Sequence, residues 1–244
     1  VKFVDVTDKL APQLRKIGLV TDGYWTDFDA DGLTDLIIIG EWMPIVALKN
    51  EGGYFKDVST ELGLDDSRGW WFGIKGDDFD NDGDTDYIVG NLGLNYKYKA
   101  NEEETFDIYF NDFDKNNIND IVLSYYNNGE QFPVRGRECT SQQMPIMKKK
   151  FKDYESFSKA TLTDIYPEKE LEQSLHYQIK SFASIYLENQ GGSFLKHELP
   201  NLAQLSSINQ IDIDDFDGDG HLDAVLIGNL YGSEVETPRN DASN

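Results

Sequence analysis

Short apolar runs, rich in β-branched residues, recur along the chain. They begin at Leu36, Tyr87, Ile121 and Ala224. Each run is too short for a helix and has the composition of a buried strand. The hydrophobic pattern therefore predicts four strands of one kind, each of which follows a polar segment.

Shorter segments, in which apolar and polar residues alternate, predict the outer strands of the same repeat. They lie at residues 3–7, 55–59 and 194–198. The last two follow turns of one type, Asn-x-Gly-Gly, at 50–53 and 189–192. The first repeat is predicted to have strands at about residues 21–27, 36–40, 44–49 and 54–59. A four-stranded antiparallel unit with a period of about 50 residues is typical of a β-propeller blade.

An acidic nine-residue loop precedes each apolar run, at residues 27–35, 78–86, 112–120 and 215–223. Side chains with oxygen atoms stand at positions 1, 3, 5 and 9. In this pattern they can converge on one cation, and Ca²⁺ is favoured over Mg²⁺ because it takes six to eight oxygen ligands in a flexible shell. Position 6 is Gly, or Asn117 in the third loop, and both residue types tolerate a sharp turn. Each loop is predicted to connect the two strands of a β-hairpin.

Two other interpretations of the loop fit its surroundings less well. An EF-hand begins with the same Asp-x-Asp-x-Asp-Gly but needs Glu at position 12 and flanking helices. Position 12 is apolar in every loop, which excludes the EF-hand. A polar turn without metal is the second interpretation, because Asp, Asn and Gly favour turns. Four acidic copies argue against it, since such close like charges repel unless a cation is bound. The argument is weaker for the third loop, where Asn116 and Asn117 lower the charge.

The pattern Asp-Phe-Asp-x-Asp-Gly-x-x-Asp, followed by a hydrophobic strand and by Asn-x-Gly-Gly-x-Phe, resembles the FG-GAP/VCBS repeat of calcium-binding β-propellers. That family includes the heads of integrin α-subunits and many secreted or surface-attached bacterial proteins. The resemblance covers most of residues 1–132 and 182–232. It implies that calcium stabilises the blade and has no catalytic part, and that position 7 contributes only a backbone carbonyl.

The resemblance implies up to four Ca²⁺ ions and four sets of ligands. The first two sets are Asp27, Asp29, Asp31, Leu33 and Asp35, then Asp78, Asp80, Asp82, Asp84 and Asp86. The other two sets are Asp112, Asp114, Asn116, Ile118 and Asp120, then Asp215, Asp217, Asp219, His221 and Asp223.

The predicted fold is all-β, a single β-propeller domain over residues 1–244 with about four blades, or an arc of a larger propeller. The ring closes in this prediction if residues 2–7 pair beside 222–229. The loops are unevenly spaced, so the outer strands after the second loop are expected to be abbreviated within 92–105. A helical insertion is expected at 136–181, with a helix over 167–179 whose Leu171, Leu175 and Ile179 share one face. For the long interval between the third and fourth loops, the alternative is one further blade without a calcium loop.

Charge and composition restrict the partners. The net charge is −23, which argues against nucleic acid or an anionic membrane as a direct partner. The basic run Lys148, Lys149, Lys150 and Lys152 is typical of a solvated helix face. Cys139 is the only cysteine, so no intrachain disulfide is expected. No signal peptide or long apolar segment is evident. The strand-like start suggests a segment of a larger protein, and weak modular calcium sites favour an extracellular, cell-surface or periplasmic location.

The repeats carry metal ligands and no nucleophile motif. They predict a non-catalytic, calcium-stabilised binding or adhesion module that recognises a protein or a carbohydrate. Trp25, Trp42, Trp70 and Trp71 are candidates for its binding surface. The alternative is a calcium-dependent propeller enzyme that acts on polysaccharide or lipid. Its site would lie near the insertion, at Arg135, Arg137, Glu138, His176 and Tyr177.

Overall fold

The computed structural model describes residues 2–232, in which strands outnumber helices. The strands are β1 (Leu19–Thr26), β2 (Asp35–Met43), β3 (Val46–Asn50), β4 (Phe55–Asp57), β5 (Gly69–Trp70), β6 (Gly73–Asp77), β7 (Asp86–Gly90), β8 (Phe106–Asn111), β9 (Asp120–Asn127), β10 (Glu130–Pro133), β11 (Leu175–Ile179), β12 (Ile185–Asn189), β13 (Phe194–Glu198), β14 (Gln210–Asp214) and β15 (Asp223–Ile227). The α-helices are α1 (Thr7–Leu10), α2 (Arg137–Gln143), α3 (Met147–Lys150), α4 (Tyr154–Ser158), α5 (Leu162–Ile165) and α6 (Glu168–Glu172). Two 3₁₀ helices span Pro12–Lys16 and Asn201–Gln204.

The described strands form four antiparallel sheets. The first sheet has the order β1-β2-β3-β4, with β5 paired to β2, and the second has the order β6-β7-β12-β13. The third has the order β10-β9-β8-β11, and the fourth is the hairpin β14-β15. The first two sheets contain the four-stranded antiparallel unit that the sequence predicts.

The chain divides into two compact units. One contains the described residues up to Lys97 and those from Phe182 onward, and it holds the first, second and fourth sheets. The other is Tyr98–Ser181, which holds the third sheet and helices α2 to α6. The second sheet is therefore made from two distant segments, because the whole second unit lies between β7 and β12.

This connection corrects the prediction of abbreviated outer strands within 92–105. The outer strands of the second sheet are β12 and β13, which lie after the second unit and have ordinary length. The short interval between the second and third loops has the same cause, since the third loop already belongs to the inserted unit. The helical segment predicted at 136–181 contains α2 to α6 and also strand β11.

The apolar runs of β2 and β7 are continuous because these strands are buried on both faces. In β2, Ile37 and Ile39 pack in a core with Tyr87, Val89 and residues of β12, between the first and second sheets. Leu36 and Ile38, on the opposite face, pack with Met43 and Leu48. A further cluster joins Ile88 of the second sheet to residues of the fourth.

The second unit has a core of its own. Tyr109 of β8 and Val122 of β9 contribute from the third sheet. The helical segment packs its apolar side chains on them, including Met144, Phe157 and Leu162. Short helices suffice here because burial on the sheet, and not helix propensity, stabilises them.

The predicted strand at residues 2–7 is wrong, and so is the closure of a ring by these residues. Residues 2–6 have no strand structure, and α1 begins at Thr7. Asp5 accepts hydrogen bonds from the Thr7 N–H and from Arg15, at 2.9 and 2.8 Å. These bonds hold the pKa of Asp5 down at about 2 and turn the chain into a helix instead of an alternating strand.

The predicted helix over 167–179 is also wrong in its second half. Helix α6 ends at Glu172, and Leu175–Ile179 is strand β11, paired with β8. A spacing of four residues places side chains on one face of a helix, but it does so in a strand as well. The tertiary structure selects the strand over the helix, because Leu175–Ile179 pairs with β8 at the edge of the third sheet.

Candidate metal sites

All four acidic loops connect the strands of β-hairpins, as predicted. In each hairpin, the residue before the loop pairs with the residue at position 9. The four pairs are Thr26 with Asp35, Asp77 with Asp86, Asn111 with Asp120, and Asp214 with Asp223. Position 9 is thus the first residue of the second strand of the hairpin, and its carboxylate lies at the base of the loop.

Backbone N–H groups bind the carboxylates in the same pattern in every loop. The carboxylate at position 1 accepts from the N–H groups of positions 5 and 6, at 2.8–3.1 Å. The side-chain oxygen at position 5 accepts from the N–H of position 7, at 2.7–3.1 Å. The third loop keeps these bonds, with Asn116 in place of Asp at position 5. Its folding therefore does not depend on the charge at that position.

The backbone takes left-handed conformations at two positions of each loop. Position 6 has φ of 67° at Asn117 and 84–99° at the three glycines, which confirms the predicted turn. Position 4 is also left-handed, with φ of 56–78° across the four loops. Ala30 and Lys115 take this conformation without the freedom of Gly, so residue type alone does not predict it.

Each loop brings three carboxylates together. One oxygen from each of three residues lies within 4.8 Å of the others. The groups are Asp27, Asp29 and Asp35; Asp78, Asp80 and Asp82; Asp112, Asp114 and Asp120; and Asp215, Asp217 and Asp223. Positions 1 and 3 meet in every loop, joined by position 9 in three loops and by position 5 in the second. Three anionic oxygens so close together are a suitable set of hard ligands for a divalent cation.

In three loops, position 9 is held in place by a donor from a neighbouring segment. The N–H of Asn50, at the end of β3, donates to Asp35 Oδ1 at 2.7 Å. The N–H of Asn189, at the end of β12, donates to Asp86 Oδ1 at 2.8 Å. In the third loop, the side chain of Gln143 donates to Asp120 Oδ1 at 3.1 Å. Burial raises the pKa of Asp35 and of Asp120, as expected for anions removed from water.

The second loop has a fifth carboxylate, Asp84 at position 7. Its Oδ1 is buried and has no hydrogen-bond partner among the described residues. Burial, together with repulsion from Asp82 and Asp86, raises the pKa of Asp84 to about 6. An unpartnered carboxylate oxygen beside other carboxylates is the arrangement that a bound cation would relieve. This arrangement fits a divalent cation, and it adds the side chain at position 7 to the groups that could hold one in the second loop.

The first loop has a cation of its own, the side chain of Lys49 on β3. Its ammonium pairs with Asp29 and, at 3.2 Å, with Asp31. Hydrogen bonds to these two carboxylates raise the pKa of Lys49. The first loop therefore has a positive side chain that partly offsets its charge, and the second loop does not, since Glu188 holds the corresponding place on β12.

Four of the five residues proposed for an enzymatic site are engaged in hydrogen bonds, an ion pair or a ring contact. Arg135 donates to Gln143, and Arg137 donates to the carbonyl of Phe151. Glu138 pairs with Lys148 at 3.2 Å. His176 lies on β11, where its ring stacks on Tyr109 at 4.1 Å between ring centroids.

His176 binds a residue that sequence reasoning missed. Its Nε2 lies 2.6 Å from Oδ1 of the buried Asp107 on β8. Gln178 donates to the same oxygen at 3.1 Å, and Thr105 donates to Oδ2 at 2.8 Å. An Asp inside the apolar run of β8 is the signal that could have revealed it, because a buried carboxylate needs donors around it.

The tryptophans differ in exposure. Trp71 and Trp42 are buried, and Trp70 packs against Trp42 at 5.5 Å between ring centroids. Trp25 is 60% exposed and makes an edge contact with Phe55. Of the four, Trp25 alone offers a large exposed surface to a ligand.

No helix among the described residues is long and apolar enough to span a membrane. Residues 27–89 match the family described as FG-GAP-like repeat. The matched segment runs from the start of the first loop into β7, so it contains the first two acidic loops and the strands between them. No curated protein matches the chain in sequence.

Proposed function

Residues 27–89 form an FG-GAP-like repeat, and from this premise we propose that the chain is a calcium-stabilised, non-catalytic binding module. Its sheets are the blades of a β-propeller, and its ligand is a protein or a carbohydrate outside the cell. Asp, Asn and backbone carbonyl oxygens of the four loops hold the ions. The bound calcium supplies positive charge that stabilises the loops.

The packing of the first unit supports the propeller architecture. The inner strands β1 and β6 are neighbours, since the Tyr24 hydroxyl donates to the Gly76 carbonyl at 3.0 Å and the Ile74 N–H donates to Asp22 at 3.1 Å. The first two sheets bury a shared core, and the second packs on the fourth. Successive blades of a propeller are expected to stack face to face, each with its acidic loop after the innermost strand.

One observation gives the main support for calcium binding. In each of the four loops, one oxygen from each of three carboxylates lies within 4.8 Å of the other two. Ca²⁺ suits this site better than Mg²⁺, since Ca²⁺ accepts six to eight carboxylate, amide and carbonyl oxygens in a flexible shell, whereas Mg²⁺ demands a near-ideal octahedron. The net charge of −23 also favours an environment rich in divalent cations, because bound ions lower the repulsion within the folded chain.

Calorimetric titration with Ca²⁺ of the protein freed of calcium by a chelator tests the proposal. We expect up to four ions per chain and a melting temperature that rises with calcium, because a ligand bound only to the native state stabilises it by about 2.7 kcal/mol at a concentration 100 times its Kd. Asp29→Asn, Asp80→Asn, Asp114→Asn and Asp217→Asn should each remove one ion. The exposed Asp65→Asn, outside the loops, is the control. Identical melting curves in calcium and in excess EGTA would refute calcium binding.

The binding role is tested separately, with a glycan array and with immobilised extracellular matrix proteins, each in calcium and in EGTA. We expect a ligand whose binding is lost in EGTA and weakened by Trp25→Ala, because this exposed ring is suited to stacking or apolar contact. Tyr54→Ala, another exposed aromatic residue, is the matched control. Binding that is unchanged in EGTA would show that the calcium loops do not support the ligand surface.

A further inference from the structure

The ammonium group of Lys49, on β3, lies in the first acidic loop. It pairs with the carboxylate of Asp29 at position 3 and, at 3.2 Å, with that of Asp31 at position 5. Both carboxylates belong to the ligand set predicted for this loop. The side chains of Lys49 and Asp29 are each 27% exposed, so this contact is more shielded from water than an ordinary surface ion pair.

The backbone on both sides of Lys49 is held in place. Leu48 is paired with β2, and Asn50 contacts the loop itself. The Asn50 N–H donates to Asp35 Oδ1 at 2.7 Å, and its side-chain amide donates to the Thr34 carbonyl at 3.0 Å. The strand therefore fixes the position from which the Lys49 side chain extends, and the ammonium can leave the loop only by rotation about the bonds of the side chain.

Within residues 2–232, the first loop is the only one whose ligand carboxylates pair with a Lys or Arg side chain. Glu188 holds the corresponding place on β12, and its carboxylate pairs with His197 at 2.7 Å. Lys115 lies within the third loop, but its ammonium pairs with Glu170 at 2.9 Å. The first loop thus differs from the others in the charge that its neighbouring strand supplies.

An ammonium group and a divalent cation compete for the same carboxylates. The affinity of an oxygen-ligand site depends on the number of charged ligands that the ion can use, and Lys49 neutralises two of them. Like charges a few ångströms apart also repel strongly where water is partly excluded. Lys49 therefore has to leave Asp29 and Asp31 before an ion can use both.

We propose that Lys49 is an internal competitor for the first calcium site. Its ammonium neutralises Asp29 and Asp31 at low calcium, and it leaves them when the ion binds. The first site is therefore weaker than the second, and it fills over a higher range of calcium concentration, with release of the lysine side chain to the surface. This inference rests on the proposed calcium binding and adds to it a calcium-dependent change in the position of one side chain.

The competition is tested by calorimetric titration with Ca²⁺ of a protein that retains only the first site, through Asp80→Asn, Asp114→Asn and Asp217→Asn. Lys49→Met removes the charge but keeps the length of the side chain, and it should lower the Kd for calcium by at least about tenfold. Lys49→Arg keeps the charge and should leave the Kd high. Lys56→Met is the matched control and should not change the Kd, because Lys56 lies opposite Lys49 on β4 and pairs with Glu61.

Two further measurements separate competition from a purely structural role of Lys49. In EGTA, Lys49→Met should lower the melting temperature, since Asp29 and Asp31 then lack a counter-charge, although the same change tightens calcium binding. Acetylation of the unmodified protein by an N-hydroxysuccinimide ester, located by mass spectrometry, reports whether the Lys49 ammonium is free. Lys49 should react slowly in EGTA and faster in saturating calcium, and the exposed Lys56 should react equally in both.

Two failures are told apart by a protein that retains only the second site, through Asp29→Asn, Asp114→Asn and Asp217→Asn. If it binds calcium and Lys49→Met leaves the Kd of the first site unchanged, the competition is refuted while calcium binding stands. If neither single-site protein binds calcium, the proposed calcium binding is refuted as well. Equal acetylation of Lys49 in EGTA and in calcium would also overturn the inference, because it would show that the ammonium does not leave the loop.

Discussion

At the scale of single residues, Asp84 distinguishes the second loop from the other three. Position 7 is Leu33, Ile118 or His221 elsewhere, and the family resemblance implies only a backbone carbonyl there. In the second loop, its carboxylate oxygen is buried and has no hydrogen-bond partner within residues 2–232. The affinity of oxygen-ligand sites depends on the number of charged ligands. We therefore expect the second loop to be the tightest of the four sites.

Asp84→Asn tests this role. In a protein that retains only the second site, with Asp29→Asn, Asp114→Asn and Asp217→Asn in place, the added change should weaken calcium binding by about tenfold, which corresponds to 1.4 kcal/mol. Calorimetric titration measures the Kd, and Asp65→Asn in the same background is the control. An unchanged Kd would show that the Asp84 side chain does not bind the ion.

The raised pKa of Asp84 predicts that the stability of the calcium-free protein depends on pH. The pKa of Asp84 is raised from 3.8 to about 6 by burial and by neighbouring carboxylates, so the folded state holds this proton more tightly than the unfolded state. The resulting stabilisation is complete below pH 3.8 and is lost as the pH rises through 6. In EGTA, Asp84→Asn should therefore have a higher melting temperature than the unchanged protein at pH 7, and the difference should shrink toward pH 4. A difference that does not vary with pH would contradict the prediction.

At the scale of elements, strand β11 shows how a buried charge fixes a pairing. The segment Leu175–Ile179 places His176 and Gln178 on one face, where both contact Asp107 of β8. Leu175, Tyr177 and Ile179 lie on the other face, which is the period of a strand. The buried carboxylate thus holds β11 to β8 through side chains as well as through the backbone.

Asp107→Ala should destabilise this pairing, because it removes the acceptor shared by His176 and Gln178 and leaves the buried Thr105 hydroxyl without its carboxylate partner. An unsatisfied buried group costs about 1–3 kcal/mol, and Thr105 alone of the three partners is buried, so we expect a loss of about 1–3 kcal/mol. Urea unfolding measures the loss, and amide hydrogen exchange of β11 shows whether it is local. Glu130→Ala, on the exposed strand β10 of the same sheet, should have little effect. Equal effects of the two substitutions would show that the Asp107 contacts do not stabilise the sheet.

At the scale of the whole molecule, the second unit is inserted in the chain between β7 and β12, two strands that pair with each other in the second sheet. The chain leaves the second sheet after β7 and returns in β12, and the Gly93 N–H donates to the Phe182 carbonyl at 2.8 Å. The ends of the first unit are therefore adjacent where the second unit begins and ends. Inserted units with adjacent ends are commonly removable.

Two deletions compare the two possible extents of the inserted unit, residues 98–181 and residues 136–181. Replacement of residues 98–181 by a short glycine linker should leave a folded protein that binds one calcium ion fewer, because the first, second and fourth loops remain. Deletion of 136–181 alone, the insertion expected from the sequence, should lower solubility and stability, because it removes β11 and the helices that cover Tyr109 and Val122. Circular dichroism and calcium titration measure both. If the second deletion folds better than the first, the unit boundary at Tyr98 is wrong.

The sequence by itself determined the local features of this protein. The nine-residue loop, its turn at position 6, the strands on either side and the Asn-x-Gly-Gly turns were all predicted, because each depends on residues close together in the chain. The backbone hydrogen bonds of the loops have the same local origin, which is why the third loop keeps them despite Asn116 and Asn117. The recurrence of these features also predicted a mostly β fold.

Only the tertiary structure decided which distant segments pair. The sequence cannot show that β12 completes a sheet begun by β7, because the partner of a strand edge is chosen by burial and register and not by nearby residues. The same reason explains the strand at Leu175–Ile179, the burial of Asp107 and the burial of the Asp84 carboxylate oxygen beside other carboxylates. Each of these follows from what lies beside a residue in space, and contacts between segments far apart in the chain leave little trace in local pattern.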